Sequence, residues 1–422
     1  MGSSEALLLR ARVVLPISRP PIEDGAVAVS GGQITALGPW RQLRRDFPGP
    51  LRDLGEVVLL PGLVNAHCHL DYTHMAGMFP AQKNFCDWIK LITTEKAQWI
   101  FSDYAESWIA GAKMLLDSGT TTVADIEAVP ELLPDVWNAT PLRVLSFLEM
   151  TGIRSRRNPE AILNEALATI DASPPHRGNL GLSPHAPYST TPRLQQQAAA
   201  AARRRKLRVV THLAESATEF EMFTRGCGEM FDWLGRNRRD MSDCDGRSPV
   251  QHLARCDALG PHLLAVHVNY LAPGDAALLA RKRVSVVHCP SSHDYFRHPA
   301  FPRRELARAG VNICLGTDSL ASVRKSARRE PKLSLLLEMR AFAARHPDVS
   351  ARQILQMTTL HAARALGLRG QIGEIRAGAL ADLIALPLVE KLPDIWDAIV
   401  QYSGDVAVSM IGGEWAKTPE VN

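Results

Sequence analysis

The chain has 422 residues, of which 46% are hydrophobic and 22% are charged, and its formal net charge is +4. These values exclude a disordered chain and are typical of a soluble globular protein too long for one small domain. So small a net charge, with no accompanying motif, argues against nucleic acid as a partner. The basic run at 203–206 is therefore interpreted as a solvated helix end.

Both ends of the chain show the pattern of short strands. Residues 25–38 hold two apolar runs separated by a Ser-Gly-Gly turn signal, and residues 381–411 hold similar runs followed by two glycines. No helical period of any length interrupts them. We therefore expect two small β regions, at 1–60 and 367–422.

Between these ends, from 61 to 366, apolar runs alternate with helical segments, which is the pattern of a parallel α/β fold. The helical segments include 104–117, 192–205 and 331–346. Residues 216–262 are long for a single crossover and predict extra helices or a loop at the mouth of the site. Eight apolar runs are expected as strands covered on both faces, at 61–67, 121–126, 143–149, 179–185, 208–213, 263–268, 284–289 and 311–318. Eight such strands predict a (β/α)8 barrel.

The seven cysteines are scattered and include no Cys-x-x-Cys pair. Cys68, Cys289 and Cys314 lie in apolar strand patterns and are expected to be small buried residues, which argues against a disulfide framework. No stretch approaches the ~20 apolar residues of a membrane span, and the start lacks the features of a signal peptide. We therefore expect a cytoplasmic protein with no membrane partner.

The first barrel strand carries two histidines with one residue between them. The apolar run 57–60 leads into Pro-Gly-Leu-Val-Asn-Ala-His67-Cys-His69-Leu. Residues i and i+2 of a strand point to the same face, so His67 and His69 can bind one metal ion. A single His-x-His motif is weak by itself, and its weight depends on what the other strands offer.

Three other strands end in side chains of the same chemical kind. His212 and Glu215 lie in Thr-His-Leu-Ala-Glu after the fifth strand, His267 ends the sixth, and Asp318 follows the eighth in Leu-Gly-Thr-Asp-Ser. Functional groups of parallel barrels lie at the carboxyl ends of the strands. Three imidazoles and a carboxylate suit a divalent, zinc-like ion.

Together these motifs resemble the amidohydrolase superfamily, in particular its mononuclear-metal deaminase branch, over nearly the whole chain. That branch includes cytosine deaminases and deaminases of S-adenosylhomocysteine or methylthioadenosine. The resemblance implies a β-sandwich built from both chain ends beside the barrel. It also implies that the metal ligands are His67, His69, His212 and Asp318.

The expected number of metal ions depends on whether a middle strand carries a residue that could bridge two ions. Binuclear amidohydrolases bridge two ions with a modified lysine or an acid on such a strand. The fourth strand, at 180–187, has no lysine, and Glu149 at the end of the third is the only acid that could serve. We therefore expect one divalent ion per chain, Zn²⁺ in the first place, with Fe²⁺ and Mn²⁺ as alternatives.

Three residues are predicted to carry the catalysis. In the deaminase branch the position of Glu215 supplies a proton shuttle, and hydrolytic attack on an aromatic C=N requires a proton on the ring nitrogen. Asp318 is placed to take a proton from the attacking water, whose pKa a metal ion lowers toward ~7. His267 is placed to hydrogen-bond the attacking oxygen.

Substrate contacts are predicted from motifs that match the branch or depart from it. The fourth-strand motif Ser-Pro-His185-Ala-Pro-Tyr-Ser resembles that of adenosine-type deaminases, whose histidine contacts substrate. Trp88 and Glu95 resemble the substrate-facing first helix, although the spacing between them is shorter than usual. His288 and His293 lie in the seventh-strand motif, where the branch has Asn in place of His293. This departure indicates either another substrate or a loop that packs differently.

The predicted function is hydrolytic deamination of an amino-substituted N-heterocycle, with release of ammonia. Adenosines modified at the 5′ position, such as S-adenosylhomocysteine, methylthioadenosine or aminodeoxyfutalosine, are the expected substrates. The alternatives are a triazine-type chlorohydrolase, which has less need of an acid such as Glu215, and a guanine- or cytosine-type base deaminase. A non-catalytic scaffold is disfavoured because all four ligand positions are filled. A small-molecule substrate is the expected partner, and a homodimer stays open.

Overall fold

The computed structural model describes residues 7–80, 82, 84–152, 158–324, 330–388 and 394–419. Its strands, in chain order, are β1 Leu7–Val14, β2 Ile22–Ser30, β3 Gln33–Pro39, β4 Leu51–Asp53, β5 Val57–Pro61, β6 Leu63–Cys68, β7 Thr120–Glu127, β8 Arg143–Met150, β9 Asn179–Pro184, β10 Val209–Leu213, β11 Leu263–His267, β12 Ser285–His288, β13 Asn312–Leu315, β14 Leu383–Pro387, β15 Val408–Ile411 and β16 Glu414–Lys417.

The two ends of the chain build one sheet beside the barrel. Its strand order is β16-β15-β14-β5-β1-β2-β3, with β4 paired to β1. The junction between the ends is the antiparallel pair of β5 and β14, in which Leu60 lies opposite Ile384. The prediction of a β region made from both ends is confirmed, and its strands form a single mixed sheet.

The eight strands from β6 to β13 form the barrel, in the order of the sequence. Every ladder among them is parallel. The predicted barrel is therefore confirmed. The apolar runs were informative because most of these strands are buried on both faces, β7, β11 and β12 along their whole length.

The barrel closes between its first and last strands at their carboxyl ends. An isolated parallel bridge joins Cys68 to Asp318. The amide N–H groups of Thr317 and Asp318 both donate to the carbonyl of His67, at 3.1 and 3.2 Å. Gly316 permits this approach, because a Cβ at that position would lie 2.8 Å from the same carbonyl oxygen. The closure thus involves the residues predicted to bind the metal.

The helices fill the connections between the strands. The three segments predicted as helices correspond to α3, α6 and α13, and the stretch 216–262 contains three helices, α7 to α9. No helix among the described residues is long and apolar enough to cross a membrane. The helices are α1 Trp40–Asp46, α2 Phe85–Lys96, α3 Phe101–Asp117, α4 Leu133–Asn138, α5 Pro159–Ala172, α6 Pro192–Arg205, α7 Ala217–Arg225, α8 Glu229–Arg236, α9 Pro249–Arg255, α10 Asp275–Arg281, α11 Pro290–Tyr295, α12 Arg303–Ala309, α13 Leu335–Arg345, α14 Ala351–Met357, α15 Leu360–Ala365 and α16 Ile395–Gln401.

The predicted small buried cysteines lie in the core. Cys68, Cys289 and Cys314 are fully buried, and all seven cysteines of the chain are free thiols. In the largest core cluster, apolar side chains of the barrel strands pack against the surrounding helices, as Leu182 of β9 does with Leu194 of α6. This packing fixes the strands and so the side chains at their carboxyl ends.

Candidate metal centre and active site

The four side chains predicted as metal ligands meet at the carboxyl end of the barrel. The Nε2 atoms of His69 and His212 lie 3.3 Å apart. Oδ1 of Asp318 lies 3.6 Å from Nε2 of His67 and 3.8 Å from Nε2 of His69. One ligand atom from each histidine lies within 4.8 Å of the other two. All four residues are buried, with no more than 6% of any of them exposed.

These four side chains are better suited to binding a divalent ion than to forming hydrogen bonds with one another. Both ring nitrogens of His67 are buried without a hydrogen-bond partner, an arrangement that is costly unless something else satisfies them. The Nδ1 atom of His212 lies 3.0 Å from the carbonyl of His185. Donation to that carbonyl leaves a lone pair on Nε2, which faces Nε2 of His69. Burial is the main reason that the pKa values of His69 and His212 lie well below normal, so both are neutral imidazoles, the form that binds metal.

The backbone is unusual where the strands deliver these groups. Ala214, His267, Val268 and Asp318 all have positive φ angles, between 49° and 73°. Residues other than glycine seldom adopt this conformation, and it is retained where the surrounding structure fixes it. At these strand ends it turns the chain sharply and lets successive side chains face the same centre.

Glu215 lies next to His267 beside the metal-ligand cluster. Its Oε1 is 3.4 Å from Nε2 of His267, and both residues are buried. Burial raises the pKa of the Glu215 carboxyl well above its usual value, and the charges of Asp318 and Glu219 raise it further. Both effects favour the protonated form of Glu215, which can donate a hydrogen at the edge of the centre.

Glu215 is held in place by two residues that the sequence analysis did not predict. The carboxylate of Glu219 accepts the amide N–H groups of Ala214 and Glu215 at 3.2 and 2.8 Å. The side-chain amide of Asn269 donates to the carbonyl of Glu215 at 2.9 Å. The sequence signal for Glu219 was present, because Ser216-Ala-Thr-Glu219 has the Ser-x-x-Glu pattern of a helix start. Nothing comparable marks Asn269.

His185 lies where the branch motif predicts a substrate contact. Its Nδ1 is 2.6 Å from Oγ of Ser189, and its Nε2 is 3.8 Å from a carboxylate oxygen of Glu149. Burial, and then the positive charge of Lys96, lowers the pKa of His185 to about 3. The imidazole is therefore neutral, and His185 lines a cavity that Glu215 and Asp318 also line.

The cavity above the centre has an empty volume of about 830 Å³, which includes the part that is open to solvent. The predicted residue Trp88 lines it, and the indole N–H of this side chain donates to the carbonyl of Ala321 at 3.2 Å. Aromatic side chains form much of the wall, which suits a flat heterocycle. They are Tyr72, Phe85, Trp88, Tyr188 and Trp233.

Three residues predicted as substrate contacts lie outside the cavity lining. Glu95 accepts the indole N–H of Trp99, which follows the end of α2, at 3.1 Å. The ring of His288 stacks on Phe301 with 3.9 Å between centroids, and Nδ1 of His293 lies 3.0 Å from the side-chain oxygen of Asn269. These contacts engage all three side chains with residues outside the cavity lining.

The seventh-strand loop reaches the cavity through a different residue. The ring of Phe296 packs edge-on against Trp88 and Phe85, with centroid distances of 5.1 and 5.2 Å. Both partners line the cavity. The loop therefore shapes the cavity through the contacts of Phe296, whereas His288 and His293 do not line the cavity.

A family model described as "Amidohydrolase family" matches residues 58–416. The chain belongs to the amidohydrolase family. The metal-dependent chemistry of that family agrees with the histidine cluster at the barrel mouth. A second, short match, to an imidazolonepropionase-like composite domain of bacteria, covers residues 25–49 in the terminal sheet.

Individual amidohydrolases resemble the whole chain. A 5-methylthioadenosine/S-adenosylhomocysteine deaminase of Syntrophobacter fumaroxidans is 32% identical over 92% of this chain and 86% of its own length. A zinc-bound adenosine deaminase of Xanthomonas campestris superposes with a TM-score of 0.83 at 27% identity, over 97% of this chain and 92% of its own. Aminofutalosine deaminase of Helicobacter pylori, in complex with methylthio-coformycin, shares the fold with a TM-score of 0.84 at 23% identity, over 97% of this chain and 99% of its own.

Proposed function

We propose that this chain is a metal-dependent hydrolase that deaminates a purine nucleoside, with adenosines modified at the 5′ position as its substrates. The observation that carries the proposal is a pair of buried acids that line one cavity and whose pKa values are shifted in opposite directions. The pKa of Glu215 is raised and the pKa of Asp318 is lowered. When their environments shift the pKa values of two acids in opposite directions, one acid serves as the proton donor and the other as the proton acceptor.

The protonation of Asp318 follows from its neighbours. Burial by itself would raise the pKa of this carboxyl. The adjacent His67 imidazole, together with its neighbours His267 and His69, outweighs burial, and the pKa of Asp318 lies well below its usual range. Asp318 therefore serves as the proton acceptor for the attacking water, 3.6 Å from Nε2 of His67.

The reaction then uses each residue in turn. Glu215 donates its proton to the ring nitrogen while Asp318 removes one proton from the water that attacks the amino-bearing carbon. His267, whose Nε2 is buried without a hydrogen-bond partner, holds the attacking oxygen. Asp318 passes the proton that it took from water to the amino group, and the C–N bond breaks to release ammonia. The added hydroxyl gives its proton to Glu215 as the carbonyl of the product forms, which returns both acids to their starting states.

His67, His69, His212 and Asp318 would hold the ion, which we propose to be a single Zn²⁺. Bound there, it would lower the pKa of water toward ~7 and polarise it for attack. The set of three imidazoles and one carboxylate supports this choice. Its buried histidines, neutral before binding, need not lose a proton to accept the ion.

Two features support a nucleoside as substrate. The cavity has an aromatic wall against which a purine can stack, with the two acids and His185 at its inner end. Relatives of similar length are named for deamination of adenosine or of its 5′-thio derivatives. We also propose that the enzyme works in the cytoplasm, because its seven cysteines are all free thiols.

The proposal is tested by release of ammonia from zinc-loaded protein across a substrate panel. The panel contains adenosine, methylthioadenosine, S-adenosylhomocysteine, guanine and cytosine, with chloride release from atrazine measured in parallel. We expect the 5′-modified adenosines to have the highest kcat/KM. Preferred turnover of a free base, or chloride release without ammonia release, would contradict the proposal.

Substrate ranking within the panel should depend on Phe296. Phe296→Ala removes two edge-on ring contacts that hold Trp88 and Phe85 in the cavity wall. Such contacts contribute about 0.5–1.5 kcal/mol each, so we expect kcat/KM ratios between substrates to change by up to about tenfold. His293→Asn is the matched variant in the same loop, and it should change the ratios less because His293 faces Asn269. The reverse order of effects would show that the loop acts through His293.

A further inference from the structure

Lys96 is the only Lys or Arg among the described residues that line the cavity. It ends α2, and its ammonium contacts the hydroxyl of Tyr72 and lies 4.7 Å from the centre of that ring. By contrast, Lys90 and Lys113 each pair with a carboxylate, that of Asp87 and that of Asp117. Within the described part of the chain, no carboxylate oxygen comes within 4.0 Å of the Lys96 ammonium.

The position of Lys96 relative to the metal centre is set by Tyr72. The Tyr72 ring stacks on the ring of His69, with 5.2 Å between centroids and 9° between planes. Lys96 contacts the far end of the same tyrosine. The ammonium thus lies one phenol ring away from the predicted metal ligand, and a substrate whose reacting carbon is at Glu215 and Asp318 would present another part of itself to Lys96.

The helix that carries Lys96 also supplies an apolar wall. Ile89 and Ile92 precede it at helical spacing, and all three side chains line the cavity. Trp233, from the extra helix α8, adds a further aromatic surface. The cavity therefore combines the reacting centre, an apolar wall from α2 and one Lys side chain among its described lining residues.

We propose that Lys96 is a specificity-determining residue, which binds an anionic group of the carboxylate class on the substrate's 5′ substituent. The inference rests on the proposed function, because it assumes that the heterocycle is bound at Glu215. A charge-assisted hydrogen bond in a partly enclosed cavity is stronger than a neutral one. It would favour an anionic substituent over a neutral one by about 10- to 100-fold in kcat/KM.

A different role for Lys96 is to balance a buried acid. The two carboxylate oxygens of Asp71 are buried without a hydrogen-bond partner. Burial raises the pKa of Asp71 well above its usual value, while the charge of Lys96 lowers it. A residue that only balanced Asp71 would affect every substrate alike, and this difference separates the two roles.

The experiment compares two substrates and three variants. The substrates are methylthioadenosine and an analogue whose 5′-thio substituent ends in a carboxylate. Lys96→Met keeps the apolar stem and removes the charge, Lys96→Arg restores a charge, and Lys113→Met is the control on the exposed face of α3. In Lys96→Met we expect kcat/KM to fall about 10- to 100-fold more for the carboxylate than for the neutral substrate. Lys96→Arg should recover most of the difference, and Lys113→Met should match wild type.

Calorimetric binding of the carboxylated product, the corresponding inosine analogue, gives a second measurement that needs no turnover. Weaker binding to Lys96→Met than to wild type, with equal binding of the neutral product, supports the inference. Equal losses on both ligands would assign Lys96 to balancing Asp71, and no loss on either would remove it from the site; both overturn the inference. If wild type deaminates neither nucleoside but binds the carboxylated product through Lys96, the proposed function fails and the anion contact stands.

Discussion

Replacing Glu215 with glutamine lowers kcat by roughly 10²–10⁴-fold on the best amino-heterocycle, the usual contribution of a general acid–base group. Glutamine keeps the shape of the side chain and can still donate a hydrogen bond, but it cannot pass a proton to the ring nitrogen. An amino group leaves poorly until it is protonated, whereas chloride needs no proton. A large loss therefore supports a deaminase over a dechlorinase. The measurement is kcat at saturating substrate, with metal content determined on the same sample.

Metal content should stay at the wild-type level, because Glu215 is not among the proposed ligands. Glu221→Gln is a matched control on α7, the helix that follows Glu215; Glu221 pairs with Arg225 at the surface, and this variant should keep wild-type kcat. A loss below about threefold in Glu215→Gln at full metal occupancy is far under the range for general acid–base catalysis. That result would place the proton donor elsewhere and remove the main support for deamination.

Wild-type protein should bind one divalent ion per chain, and His67→Ala should abolish both that binding and turnover. The ion is expected to supply several kcal/mol of transition-state stabilisation, so the loss in kcat is at least about 10³-fold. Elemental analysis gives the stoichiometry, and kcat is measured after reloading with Zn²⁺. Asp318→Asn, which keeps the shape of the side chain, should give a similar loss of turnover.

Folding must be separated from metal loss in these variants, because His67 is fully buried. Circular dichroism and thermal unfolding of each variant are compared with wild type. His361→Ala is the control, since His361 contacts the carbonyl of Ile313 in β13 and is remote from the proposed ligands. Two tightly bound ions per chain, both needed for activity, would overturn the mononuclear proposal. A folded His67→Ala protein with near wild-type turnover would remove His67 from the site.

The barrel and its strand ends could be predicted because they depend on signals that are local in sequence. A strand buried on both faces must be apolar along its length, and each of the eight predicted runs overlaps an observed strand. The alternation of a strand fixes which residues share a face, so the two-residue spacing of His67 and His69 is enough to assign them to one centre. His212 and Asp318 were assigned as metal ligands from the family resemblance. The sequence of one strand does not indicate which side chains of other strands lie beside it.

The cavity wall was harder to predict, because it depends on the direction of side chains on helices and loops. Glu95 and Lys96 are neighbours in α2, about 100° apart around the helix, and only Lys96 faces the cavity. The motif match predicted a substrate contact for Glu95, whereas the structure places its neighbour Lys96 in the cavity lining. His293 illustrates a second difficulty: its departure from the branch motif was visible, but its partner Asn269 lies on another element.

Few contacts close the barrel between β6 and β13, and these contacts involve the residues proposed to carry out the chemistry. The first and last strands share one isolated bridge and two amide contacts with the His67 carbonyl, whereas the strands elsewhere pair through ladders such as that between β7 and β8. The segments at this join carry His67 and Asp318, so an ion held by both side chains also fastens one strand to the other. Ion release then lowers the free energy needed to part the strands, by the difference in ion affinity between the closed and open forms. We therefore expect loss of the ion and fraying of this join to occur as one local event.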